Sequence, residues 1–162
     1  MAKLYATRGA QPLLMSEFVA NYNDTMVSVS GVLSTFGSVY TDALTFDIIN
    51  LPVGAVISHG EVIVDAAYTG TTAATIVVGN STTADLYKAA TTTLMSVTAG
   101  TKYPFTMNVA TGTNNSVSAI GGYAGINVRI ALTHTAANAT AGKFRVRVYW
   151  SLEGKVNETY PQ

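Results

Sequence analysis

Two stretches of this chain constrain its fold more than any other feature. Ile126 to Thr133 and Phe144 to Ser151 alternate apolar and polar residues without a break. In the first, Ile126, Val128, Ile130 and Leu132 fall on one side, with Asn127, Arg129, Ala131 and Thr133 on the other. In the second, Phe144, Val146, Val148 and Trp150 are opposed by Arg145, Arg147, Tyr149 and Ser151. Successive side chains of a strand point to opposite faces, so a period of two marks a strand with one buried and one solvated face. No long segment shows the competing helical period of 3.6. The small polar residues Thr135 to Gly142 between the two stretches read as a hairpin loop.

The same period runs, less cleanly, through the rest of the chain from Met26. Val27, Val29, Gly31 and Leu33 share a face. Leu44, Phe46 and Ile48 share another, opposed by Thr45, Asp47 and Ile49. Pro52 and Gly54 punctuate a turn. Val56-Ile57 leads through His59-Gly60 into Val62-Ile63-Val64, and the embedded Gly60 marks a bulge or bend. Thr75 to Val78, Leu94 to Val97 and Tyr103 to Val109 complete the set, with one helical turn predicted over Asp85 to Ala90. About eight short strands separated by turn residues predict an all-β sandwich, with a jelly roll as the leading topology.

The expected organisation has three parts. Residues 1–25 have no sustained period and read as an extended N-terminal arm with one helical turn near Ser16 to Ala20. Residues 26–152 form the single sandwich domain, and 153–162 an exposed tail. The apolar arm residues Leu13, Leu14, Met15 and Phe18 are candidates for intersubunit contact.

Composition narrows what such a sandwich does. Only 11% of the 162 residues are charged, against about 25% in ordinary domains. Nine basic and nine acidic residues cancel. A neutral surface has no field to concentrate phosphate, which argues against a nucleic-acid partner. The absence of cysteine excludes disulfides and thiolate metal sites. No apolar run reaches the ~18 residues of a membrane span, and the first eight residues carry no secretory-signal pattern.

Catalytic constellations are equally scarce. His59 and His134 are far apart, and only Glu61 and Asp65 lie near His59, so the ligand count falls short of a metal site. His134, in a Thr-His-Thr context, reads as an exposed loop entry. No G-x-S-x-G elbow occurs. Gly121 to Gly125 is glycine-rich but enters a strand, not a helix that would bind an anion. Asp47 with Glu61 is the nearest approach to a hydrolase pair, and nothing in their spacing selects it. The expectation is therefore no enzyme activity, no cofactor and no metal.

The surface is more informative. Arg129, Arg145 and Arg147, with Tyr149, are expected to form a stripe on an outer sheet face, available to acids of a neighbouring subunit. Tyr40, Tyr68, Tyr87, Tyr103, Tyr123, Tyr149 and Tyr160 are expected in loops and on strand exteriors. Tyr is enriched at protein interfaces, so the outside reads largely as contact surface.

The stretch Leu51-Pro52-Val53-Gly54-Ala55-Val56-Ile57-Ser58-His59-Gly60-Glu61-Val62-Ile63-Val64 resembles a strand pair common in small phage structural proteins. Thr69 to Asn80 and Thr140 to Trp150 look like later strands of the same proteins. The likeness, over roughly residues 43–158, is to the small jelly-roll decoration (cement) proteins of tailed-phage capsids. It implies a sandwich that stabilises the icosahedral head as a dimer or trimer, with the major capsid protein as partner and the virion surface as location. A tail or head–tail component and a carbohydrate-binding module are the alternatives.

Overall fold

The computed structural model describes residues 13–105 and 126–152. Ten strands carry them: β1 (Leu14–Asn21), β2 (Thr25–Val27), β3 (Leu33–Thr35), β4 (Tyr40–Leu51), β5 (Ala55–Thr69), β6 (Ala73–Gly79), β7 (Lys88–Thr93), β8 (Thr101–Pro104), β9 (Ile126–Thr135) and β10 (Ala141–Leu152). No helix occurs among the described residues. One sheet has the order β1-β10-β5-β8, the other β4-β9-β6-β7, and β2 and β3 form a separate hairpin. All ladders are antiparallel. The chain is thus the all-β sandwich that its alternation predicts. With the β2–β3 hairpin set aside, every link except β6 to β7 passes to the opposite sheet, which is the strand order of a jelly roll.

The two stretches that set the fold class bury the faces expected of them. Val128, Ile130 and Leu132 of β9 and Phe144, Val146 and Val148 of β10 are all fully buried. They are nonetheless not a hairpin. β9 pairs with β4 and β6, whereas β10 pairs with β1 and β5, so residues 136–140 cross between sheets.

Four other expectations change. Ser16 to Ala20 form no helical turn: they belong to β1, which pairs residue for residue with β10 from Leu14↔Trp150 to Asn21↔Lys143. Leu14, Ser16, Phe18 and Ala20 face inward at graded depth, an alternation that Ser16 and Ala20 hide in the sequence. On β4 the register shifts between Asp47 and Ile49. This bulge passes the core face from Phe46 to Ile49 and Leu51, leaving Ile48 only half-buried. Asp85 to Tyr87 are turn and bend, and from Lys88 the chain is strand β7, so the predicted helical turn is absent. Of the predicted Leu94 to Val97 strand only a Met95–Tyr68 bridge forms. Residues 106–109, Gly121 to Gly125, Tyr123, Tyr160 and the tail 153–162 lie outside the described residues.

Phe36, just after β3, closes the core at one side. Its ring lies 5.9 Å from Phe18, 4.8 Å from Phe46 and 6.1 Å from Phe144, so it joins both sheets. Two tyrosines expected outside are also core residues: Tyr68 and Tyr87 are each 1% exposed. Burial pushes the Tyr87 hydroxyl up to about 12 and raises that of Tyr68 further. Tyr68 packs over Gly142, where a Cβ would come within 2.4 Å of the ring.

His134 reverses the expectation of an exposed loop residue. It is fully buried on β9, 5.1 Å from the Tyr68 ring and 6.2 Å from that of Tyr40. Neither ring nitrogen nor the Tyr68 hydroxyl has a hydrogen-bond partner. The Gly37 backbone lies close enough to favour the charged form in part, but burial dominates and lowers the pKa. The groups facing it are Tyr40 from β4 and Tyr68 from β5, with Ala74 of β6 across the ladder; none supplies a counter-charge.

A histidine whose folded pKa lies below its unfolded value of about 6.5 contributes stability above that pH and loses it as the pH falls. Urea titrations should show stability declining between pH 6.5 and 5, by at most about 1.4 kcal/mol per pH unit from this group. His134→Leu should flatten that decline and leave stability at pH 7 unchanged or higher, because an unsatisfied polar group leaves the core.

Candidate functional site

The outer face of the β1-β10-β5-β8 sheet carries a connected ladder of six charged residues. Antiparallel register places Glu17 opposite Arg147, and Arg147 opposite Glu61. The neighbouring row runs Val19, Arg145, Ile63, Lys102. Arg147 pairs closely with Glu17 and lies 3.7 Å from Glu61. Arg145 is bidentate to Asp65, with Nη2 donating to Oδ1 at 2.5 Å, and lies 3.8 Å from Glu17. Lys102 closes the ladder 3.4 Å from Glu61.

Three acids and three bases therefore neutralise one another within the chain. The carboxylates hold both guanidinium groups above their ordinary pKa, with Asp65 the main cause for Arg145 and Glu17 for Arg147. Ile63 points to this outer face yet is only 4% exposed. Arg145 and Lys102 flank it on either side.

This arrangement corrects the expected arginine stripe. Arg145 and Arg147 share β10, but Arg129 lies on β9, on the outer face of the other sheet, where its Nε donates to Asp47 Oδ1 at 2.7 Å. All three arginines are already paired within the chain, because each strand neighbour supplies the matching acid. Sequence reading missed Glu17, the acid shared by two of them. The available signal was the outward set Met15, Glu17, Val19 on a strand mistaken for an arm.

The next row of the same face is aromatic: Met15 is opposite Tyr149, and Tyr149 opposite His59. The Tyr149 and His59 rings stack at 4.3 Å and 13°, and Ser58 Oγ lies 2.8 Å from His59 Nδ1. An extra residue at Ser58 shifts the β5–β10 register there, placing a bulge beside Gly60. A Cβ at Gly60 would meet the Phe105 ring at 2.3 Å, so glycine lets Phe105 lie directly on the strand. With Lys102 and Glu61 these rings border a shallow depression of about 350 Å³.

The four arm candidates separate by face. Leu13 and Met15 are 52% and 53% exposed, whereas Leu14 is half-buried and Phe18 packs against the core. A second apolar surface is the β2–β3 hairpin, which exposes Val27, Val29, Val32 and Leu33, the last 67% exposed. No charged residue occurs from Thr25 to Thr41.

The carboxylate pair considered from the sequence does not come together. Asp47 and Glu61 lie on the outer faces of opposite sheets and cannot flank one bond. Among the described residues no group of three His, Asp or Glu is placed to hold a metal ion.

No protein-family model and no curated protein matches the chain. Among solved structures it resembles a chain described as "Cyanophage Pam1 capsid asymmetric unit". The TM-score is 0.56 at 22% sequence identity, covering 94% of this chain and 91% of that one. The two share a fold over nearly their whole lengths.

Glu17→Gln should test the ladder. It should lower Tm at low ionic strength, and the difference from the parent should vanish near 1 M salt, where the Debye length is about 3 Å. A Tm difference independent of salt would mean that packing, not charge, holds Glu17 in place.

Proposed function

We propose that this chain is a structural component of a phage virion, a decoration (cement) protein that binds the outside of the icosahedral head and stabilises it. The observation that carries this reading is the shared fold, over 94% of the chain, with a chain of a cyanophage capsid asymmetric unit. The charge-poor composition and the exposed apolar hairpin agree with it. So does the internal neutralisation of the largest charged face. In this reading the protein is made in the host cytoplasm, has no catalytic role, needs no cofactor, and has the major capsid protein as its partner. Many weak neutral contacts, repeated over the shell, add up through multivalency.

The uncharged hairpin is the part of the chain best suited to seat on the shell. Burying Val32 and Leu33 there removes apolar area from water without stranding a charge.

Capsids assembled without the protein should lose resistance to heat and regain it when the purified protein is added. Leu33→Asp should weaken capsid binding by about tenfold or more while leaving Tm of the isolated protein unchanged. Cryo-electron microscopy of reconstituted particles should show hundreds of copies over the head. Capsids of equal heat resistance with and without the protein, or a dozen copies confined to one vertex, would overturn the reading.

A further inference from the structure

We infer that β1 is an open pairing edge whose occupant is β1 of a second copy of this chain, so that two sandwiches share one continuous sheet. The inference concerns the isolated protein and stands apart from the capsid reading.

A sandwich of two four-stranded sheets has four edge strands, here β1, β8, β4 and β7. Unpaired edges template association unless something blunts them, such as shortness, lysine, proline, a bulge or a covering segment. Three of the four are blunted. β8 is four residues long, carries Lys102 and ends at Pro104. β7 begins at Lys88, and its ladder with β6 is irregular. β4 has two register shifts, and the hairpin turn covers it where Val29 N donates to the Thr45 carbonyl at 2.8 Å.

Among the described residues β1 has none of these devices. It runs eight residues, Leu-Met-Ser-Glu-Phe-Val-Ala-Asn, with no Lys, Pro or Gly. Its register with β10 has no break. Among the described residues β10 is the only strand it pairs with. Beside this edge Leu13, Met15 and Val19 are 52%, 53% and 43% exposed, and Leu14 and Phe18 keep part of their surface.

A second β1 fits this edge better than a charged partner does. Antiparallel pairing about a two-fold axis at Ser16 sets Leu13 opposite Val19 of the other copy, and Leu14 opposite Phe18. Each apolar contact occurs twice, on both faces of the shared sheet. Glu17 then falls opposite Met15 and not opposite the other Glu17, so no like charges meet. Its own carboxylate stays with Arg147 and Arg145. All four apolar residues marked as contacts from sequence, Leu13, Leu14, Met15 and Phe18, enter this pairing.

Cysteine chemistry gives a direct test, because the chain has no native cysteine. Residues 13 and 19 of one strand are about 20 Å apart at ~3.3 Å per residue, too far to bridge within a chain. Oxidation of the full-length Leu13→Cys, Val19→Cys protein should therefore give a covalent dimer. Sedimentation equilibrium of the parent should show a dimer. Met15→Lys with Val19→Lys, at exposed positions that should not disturb the fold, should raise its Kd about 100-fold or more. Three results would each overturn the inference: a parent that is monomeric at all concentrations; a dimer indifferent to the lysine pair and uncrosslinked by the cysteines; or a monomer that dimerises only when residues 1–12 are removed, which would assign the edge to the chain's own N-terminal segment.

Discussion

The structure depends on one apolar contact, between the inward rows of β10 and β9 across the sandwich. Phe144, Val146 and Val148 from one sheet and Val128, Ile130 and Leu132 from the other lose all solvent exposure. Each row holds because its strand is central, with hydrogen-bonded neighbours on both sides. Phe36 then closes the open side by touching aromatic rings of both sheets. With the interior closed in this way, the outer faces add to stability through polar pairs and not through the core. They differ sharply: one carries a six-residue ion ladder, the other a Thr- and Ala-rich surface with the Asp47–Arg129 pair.

That division explains how the fold was legible and where it was not. Strands with one buried and one solvated face announce themselves: β9 and β10 are strands with Val128, Ile130, Leu132 and Phe144, Val146, Val148 facing the core as the alternation predicts, though both strands run longer than it does. Pairing is a different matter. Alternation says which way a side chain points but not which strand lies alongside, so the 136–140 crossover looked like a hairpin. β1 was obscured because its inward set includes Ser16 and Ala20, small residues that fit beneath Trp150 and the core without an apolar signature. Ser16 in fact receives a hydrogen bond from the Trp150 indole nitrogen at 3.0 Å.

The site was legible residue by residue but not as a constellation. Arg145, Arg147 and Tyr149 lie on an outer face as expected, yet the acids that pair the two arginines come from β1 and β5, 130 and 80 positions away. Arg129 could not be separated from them without knowing that β9 and β10 belong to different sheets. Tyr68, Tyr87 and His134 misled for a related reason. Their polar atoms suggest a surface, and only the closed interior, with four orphaned polar atoms among the described residues, reveals that their rings were needed as bulk.

β10 sits in the middle of its sheet but is the last of the ten strands to leave the ribosome. Until residues 141–152 emerge, β1 and β5 have no strand to join them, although more than 70 residues separate the end of β5 from β10. At ~5–20 residues per second the growing chain carries those strand edges unpaired for several seconds. Closure is therefore a late, long-range event, and the contact order that results favours slow folding. A nascent chain of this kind is exposed to mispairing during its own synthesis, and the low charge that suits the finished surface offers little repulsion to prevent it.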